Sequence, residues 1–564
     1  MQQTCTKCSS TYQITDEETA TLSDLSPVFK DRKFDIPTPK YCPSCRQQHR
    51  LMWRNERHLY KRKCEKTGKE IIAIYSPESP WKVYASDIWW EDEWNPLEYG
   101  KDIDLSGSVF KQINNICLKV PHLALIASPD THDNNSDYVN FAGWNKNSYL
   151  IFDSDFNEDT LYSNVLKHSK DCMDCSYLHS SQLCYECVDC FNCYELRFSQ
   201  DCTNCHSSAF LRSCIGCKSC FFCSNLANKE YCFHNEQLSK QDFEARMKKI
   251  DLESHNKVRK LQEEFHQYTQ KFPRKYCSIL QCENCTGDYI TNAKNCFRCF
   301  NIADGEDLYY CDSLYNAKTC VDVSSFGENI QRIYNCATIG HNSFNILFCY
   351  SCVMSTSDLL YCIGCRQSKH CFGCVCLKQA EYCIFNKQYT KEEYENLVPQ
   401  LIEHMQNNGE WGEFFPASMS PFAYNETVAN EYFPLSKSEV LQKGWKWRDE
   451  NDDLPQVERV IPASKLPEKI TDIPDDILNW AVKCEVTDRP FRVVVQELDL
   501  YRRMNLPVPH LHPDERHRMR ILQRNPRKLW SRQCAKCNKD IWTSYAPDGS
   551  ATVYCEECYL SSVY

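Results

Sequence analysis

Paired cysteines with two residues between them return along this chain at a fixed step of fifteen. "DCMDC" begins at Asp171, "ECVDC" at Glu186, "DCTNC" at Asp201 and "GCKSC" at Gly216, and "YCFHN" follows at Tyr231. Superposed on that step, Cys172, Cys187, Cys202, Cys217 and Cys232 form one file, and Cys175, Cys190, Cys205 and Cys220 a second. Ser169, Cys184, Ser199 and Cys214 form a third; Leu166, Leu196, Leu211 and Leu226 form a fourth, with Ser181 as its exception. Turn-favouring Asp174, Asp189, Asn204 and Ser219 sit between the paired cysteines. No α-helical period gives such a step. Small or apolar files with polar corners describe a parallel β-solenoid, whose coils stack at about 4.8 Å.

The pattern returns, less regularly, from Cys277 to Cys383, and "CFGCVCLKQAEYCIFNKQYTKEEYE" matches "CFFCSNLANKEYCFHNEQLSKQDFE" at an offset of 151. The expected class is therefore mainly β: a parallel β-solenoid in two blocks with short helical inserts. Each block is followed by a helix start, Ser239 with Asp242 and Thr390 with Glu393. Val258, Leu261, Phe265, Tyr268 and Phe272 repeat at three and four, an amphipathic stripe expected to cover a solenoid face or end. The segment "GEFFPASMSPFAYNETVANEYFPLSKSEVLQKGW", rich in aromatics and proline, is expected to connect the solenoid to the carboxy-terminal domain and dock there.

Forty cysteines in 564 residues would suggest a disulfide scaffold in a secreted chain. The opening "MQQTCTKCSS" has neither the basic start nor the apolar core of a secretory signal, and no apolar run reaches the roughly 18 residues of a membrane helix. The reading is cytoplasmic, with reduced thiols and no membrane partner. Three fates of the central cysteines then stand. Thiols packing as small hydrophobes lead; four thiolates such as Cys172, Cys175, Cys187 and Cys190 meeting at a metal come second; disulfides come last.

The two ends are one unit used twice. Lys33 to Trp90 aligns without a gap on Arg503 to Leu560, with 18 of 58 positions identical, among them Arg46/Arg516, Arg50/Arg520, Arg54/Arg524, Arg57/Arg527 and Cys64/Cys534. Cys5, Cys8, Cys42 and Cys45 make two knuckles that can supply four thiolates to a closed tetrahedral zinc site, and Cys534, Cys537, Cys555 and Cys558 make another. Two structural zinc ions are expected. Through the alignment the second set falls on Cys64, Thr67, Ala85 and Ile88, so the second amino-terminal ribbon is degenerate, its metal replaced by the packing of "WKVYASDIWW". The first carboxy-terminal ribbon is degenerate in turn, keeping Cys484, His512 and Glu515 where a metal set would lie. The boundaries are 1–95 for the first ribbon pair, 96–235 for a connection and the first block, and 236–275 for the helical insert. The second block takes 276–389, helices and the aromatic connection 390–470, and the second ribbon pair 471–564.

"CTKC" followed by "YCPSCR" resembles the probable zinc-ribbon family of treble-clef type over about the first fifty residues, which implies zinc and no reaction. The whole arrangement, ending its solenoid in "NKQYTKEEYE", is similar to an uncharacterised bacterial family of Cys-rich proteins; this implies architecture alone.

Net charge is −11, yet Arg46 to Lys66 holds eight Lys/Arg against two acids, and Arg516 to Lys539 nine against none. "RQQHRLMWRNERHLYKR" reads as a helix that carries Arg46, Arg50, Arg54, Arg57 and Lys61 on one face; Arg516, Arg520, Arg524, Arg527 and Lys528 repeat it. The function expected from this is a zinc-binding structural or scaffold protein, with nucleic acid or a protein as partner and the basic helices as the phosphate-facing surface. The alternatives are a thiol-rich metal-storage or redox protein, or a β-helix carbohydrate-active enzyme using the acidic file Asp171, Glu186 and Asp201. No phosphate loop, zincin helix or nucleophile triad is legible, so no catalytic residue is assigned and no small-molecule substrate expected. His49, His58 and His517 are expected at the surface.

Overall fold

The computed structural model describes residues 1–126, 133–449 and 457–563. Its body is a parallel β-solenoid in two blocks. In the first, strands run from Val139–Gly143 to Cys232–Phe233; in the second, from Ile279–Leu280 to Glu381–Ile384. Each block ends in a short antiparallel hairpin and then a helix, capped by Ser239 in one case and by the reciprocal Thr390–Glu393 box in the other.

The coil is twelve residues long and not fifteen. Phe152 pairs with Asn164, Asn164 with Ser176, Ser176 with Val188, and Val188 with Gln200. The reason lies in a smaller unit. His168, Asp171, Asp174, Tyr177, Ser180, Leu183, Glu186 and Asp189 are all left-handed, with φ between +49° and +58°. A left-handed residue after two extended ones turns the chain a corner, so three residues make a wall and four walls close a coil. One residue per wall points inward. A step of fifteen is one coil plus one wall, so Cys172, Cys187, Cys202, Cys217 and Cys232 wind around the bore instead of stacking. The true vertical file runs Leu166, Leu178, Cys190 and Cys202. The middle coils of the second block take thirteen residues, as in Leu314 to Gly327 and Gly327 to Gly340, before the last return to twelve, which accounts for its less regular sequence.

The bore is filled with sulfur and aliphatic carbon. Cys172, Cys175, Cys184, Cys187, Cys190, Cys202 and Cys214 are fully buried. Each thiol sits near backbone carbonyls: Cys175 Sγ lies 3.3 Å from the Met173 oxygen and 3.5 Å from that of Cys184, and Cys187 Sγ 3.3 Å from that of Leu196. Carbonyl oxygens accept from a protonated thiol and repel a thiolate, so the walls favour packing over metal. All forty cysteines are free. Outside the terminal tetrads only Cys282 and Cys285, in the first coil of the second block, are half-exposed. In the metal-loaded native protein a thiol reagent should therefore reach these two readily and the buried files only after denaturant is added. Fast native reaction of most thiols would show that the files open.

The helical insert covers the first block through Phe265, whose ring lies 5.6 Å from Phe210 and 5.1 Å from Phe222. The aromatic, proline-rich connection behaves differently from its expectation. It packs chiefly on the amino-terminal domain: Phe414 and Phe415 against Trp53, Phe422 stacked on Tyr75 at 5.5 Å, and the Ser420 hydroxyl donating to the Met52 carbonyl. Trp53 offers an apolar face that the carboxy-terminal copy has replaced with the exposed Gln523. Among the described residues no helix is long and apolar enough to cross a membrane.

Candidate metal centres and the arginine anchors

Two four-cysteine groups could each hold a metal ion. In Cys5, Cys8, Cys42 and Cys45, and in Cys534, Cys537, Cys555 and Cys558, the sulfur atoms lie within 4.8 Å of one another. The Cys8–Cys42 and Cys537–Cys555 sulfurs are 3.7 Å apart, close to the ~3.8 Å edge of a tetrahedron with ~2.3 Å metal–sulfur bonds. Local structure aims them: Ser9 takes φ +60° so that its N–H returns to the Cys5 carbonyl, and Cys42 caps the helix Pro43–Leu51 with Pro43 at its first position. Cys534 accepts the N–H of Cys555 at 3.2 Å.

The two segments expected to be degenerate keep a single cysteine each without the metal set. Cys64 still accepts the Ala85 N–H, and Trp81, Val83 and Trp89 are buried beneath it. Cys484 does not meet His512 and Glu515 in a metal group: His512 caps the helix Pro513–Ile521 through its ring nitrogen, and Glu515 holds Arg518. Nor do Cys172, Cys175, Cys187 and Cys190 converge: Cys175 and Cys187 stack on one wall in successive coils, but Cys172 and Cys190 lie on the walls before and after it; among the described residues only the two terminal tetrads do.

The basic residues stand elsewhere than the sequence suggested. The helices are short, Pro43–Leu51 and Pro513–Ile521, so Arg54, Arg57, Arg524 and Arg527 lie in the loops beyond them. Asn55 ends the first by accepting from the His58 N–H and donating to the Ile74 carbonyl. More decisively, the arginines are buried against the solenoid: Arg50 and Arg54 are 0% exposed, Arg46 and Arg516 5%, Arg520 3%. Arg46 and Arg50 both bond Asp322, the latter at 3.1 Å. Arg516 and Arg520 both bond Asp174, the latter at 2.7 Å. Arg524 grips Asp189 at 2.9 Å, Arg527 grips Asp312 at 2.6 Å, Arg54 pairs with Glu56 and Asp153, and Arg57 with Asp514. A solvent-facing arginine surface is thus corrected to a set of internal anchors, because each guanidinium already has a carboxylate inside the fold. Lys61 and Lys528 alone of that set remain exposed, Lys61 beside Glu70 and Lys528 over Trp530.

The same contacts occur twice, and they cross over. The amino-terminal domain docks on the second block and the carboxy-terminal domain on the first. Tyr310 donates to Glu18 at 3.1 Å as Tyr162 donates to Glu497 at 2.9 Å. Arg54 reaches Thr338 on one block and Asp153 on the other, as Arg524 reaches Asp189 and Asn301. Sequence reasoning missed Asp174, Asp322, Glu18 and Glu497. The signal was present: the duplication extends into the solenoid as Tyr162/Tyr310 and Asp174/Asp322 at one common offset.

Glu18 is fully buried beside Arg46, whose charge Asp322 already engages. Burial pushes its carboxyl up to about 7, against the pull of Arg46. The folded chain then holds a proton that the unfolded chain releases near its ordinary value of about 4.3. The stabilisation is complete below that value and is lost as pH rises through about 7. Urea unfolding at constant metal loading should give about 1 kcal/mol more stability near pH 6 than near pH 8 from this group. Glu186 and Asp155, pushed up to about 7 by burial, add in the same direction. Glu18→Gln should flatten the slope by its share; an unaltered slope would place the proton elsewhere.

The acidic file dissolves for the same reason as the cysteine files. Asp171 pairs with Arg503, Glu186 accepts from Gln262 and Asp201 from the Tyr289 hydroxyl, each on a different corner. His517 is buried beside Glu431 and not at the surface, while His49 and His58 are half-buried. No family model, curated protein or solved structure matches this chain.

Proposed function

We propose that this protein is a zinc-stabilised intracellular scaffold, whose two metal ions are structural and whose rigid solenoid presents an outer face to a protein partner. The observation that carries the reading is the closure of both metal groups. Four thiolates at tetrahedral spacing leave no open position for a substrate or water, which is the donor set of structural zinc. The anchoring arginines point the same way, since their charge is spent on docking the metal domains to the solenoid.

For the partner face, a ladder of rings on the first block supports the choice. Trp144, Phe156 and His168 stack at 4.7 and 4.9 Å along one corner, with Trp144 40% and Phe156 46% exposed. Bulky residues are disfavoured at their φ of +53° to +60°. The matching corner of the second block carries Asn292, Asp304 and Asn316, types that accept this conformation.

Elemental analysis of reduced, purified protein tests the metal reading: two zinc ions per chain are expected. Four or more would move metal into the bore and favour storage, and none would leave the tetrads without a role. A protein retained from the native host by the wild type and lost by Trp144→Ser with Phe156→Ser, at unchanged zinc content and stability, supports the partner face. Salt-sensitive retention of nucleic acid, indifferent to those changes, would overturn it.

A further inference from the structure

Where the amino-terminal domain closes over the second block, a cavity of about 20 Å³ is lined by Tyr350, Ser351, Arg366, Cys376, His122 and the rings of Tyr75, Trp81 and Trp89. Arg366 is 2% exposed. Its Nη1 donates to the Gly364 carbonyl at 3.1 Å, and its guanidinium lies 5.3 and 5.6 Å from the Trp89 and Trp90 ring centres. Its Nε and Nη2 have no hydrogen-bond partner in the protein, and among the described residues it makes no ion pair. Tyr350 and Ser351, each 2% exposed, likewise have hydroxyls without a protein partner. The anchoring arginines each face a carboxylate; Arg366 faces one backbone carbonyl, rings, hydroxyls and a thiol.

The thiol does not supply the missing charge. Cys376 Sγ lies 3.4 Å from His122 Nδ1, while His122 Nε2 lies 2.8 Å from the Cys117 carbonyl. That carbonyl can only accept, so Nε2 carries the imidazole proton and Nδ1 accepts from the thiol. Burial agrees, pushing the Cys376 thiol up to about 12 and the His122 imidazole down to about 3, so that both are neutral. A buried guanidinium with no counter-charge is costly, and every unpartnered group here can donate a hydrogen bond.

We propose that Arg366, Tyr350 and Ser351 bind a monatomic anion of chloride size at this cavity, locking the amino-terminal domain onto the second block. The volume suits one solvent-sized species and excludes phosphate or sulfate. The site has no counterpart in the other half of the chain, where the position matching Arg366 is Ile215 and no segment matches the one that carries His122.

The test compares urea unfolding of the zinc-loaded protein in sodium chloride and in sodium gluconate at equal ionic strength, together with bromide-substituted crystals measured at the bromine edge. Expected are a saturable rise in the unfolding midpoint with chloride alone and an anomalous peak beside Arg366. Tyr350→Phe and Ser351→Ala each remove one donor and leave the fold intact; each should raise the half-saturating chloride concentration about tenfold. Equal midpoints in the two salts, or a bromide map without that peak, would mean the cavity takes water, and the proposal would be overturned.

Discussion

Asp174→Ala should cost about 3–5 kcal/mol and loosen the carboxy-terminal domain from the first block, because it strands two guanidiniums in the interior at once. Asp174 is 0% exposed, and its two oxygens are divided between Arg516 and Arg520, themselves 5% and 3% exposed. Removing one carboxylate leaves Arg516 with Glu497 at 3.4 Å and Arg520 with the Tyr162 carbonyl at 2.8 Å, neither of which replaces it. Urea unfolding would measure the loss, and limited proteolysis should then cut within the released domain. Two controls separate the physics. Glu306→Ala breaks an exposed pair with Lys318, 47% and 49% exposed, and should cost less than about 1 kcal/mol. Replacing Arg516 and Arg520 by methionine together with Asp174→Asn, which accepts the φ of +53° at that corner, should recover most of the loss, since methionine needs no counter-charge. If Asp174→Ala behaves like Glu306→Ala, the arginines are not anchors.

Metal removal should act differently at the two ends. A structural zinc ion contributes roughly 10–16 kcal/mol of apparent binding free energy in small four-ligand domains, so on the proposed reading stripping the metal should unfold the segment around each tetrad. At the amino terminus, Cys42 caps and Cys45 lies within the helix that carries Arg46 and Arg50. Cys42→Ser should therefore release both the knuckle and the anchor to Asp322. At the carboxy terminus the anchoring helix begins at His512, away from the tetrad. Cys534→Ser should leave Arg516 and Arg520 docked and instead free the strand Val553–Tyr554 from Arg274–Lys275, together with the Thr543 bond to the Tyr276 carbonyl. Hydrogen exchange on the two variants checks this: wide deprotection spreading to the second block in the first, and deprotection confined to 530–563 and the 274–276 edge in the second. Equal spread in both would deny the coupling of metal to anchor.

Much of the architecture was legible because a solenoid repeats its environment. Every wall imposes the same demand for one small inward residue, and the cysteines answered it often enough to reveal stacking. The coil length was not legible from the cysteines. Any multiple of three keeps inward positions inward, so fifteen and twelve satisfy the same pattern, and only the pairing of Phe152 with Asn164 selects between them. The metal tetrads were readable because their ligands lie close in sequence as knuckles whose spacing the metal dictates. The arginines were misplaced because a charged run looks alike whether it meets solvent or a carboxylate more than a hundred residues away.

The sequence by itself determined the handful of local rules: small inward side chains repeating between polar corners, two four-thiolate knuckle pairs, and a duplicated end domain. Tertiary structure alone decided which block each end domain grips, that Asp174 and Asp322 take up the basic charge, and that Arg366 is left without a carboxylate. The physical reason is range. Backbone conformation and ligand spacing act over a few residues, whereas the cost of burying a charge depends on what the whole fold brings against it.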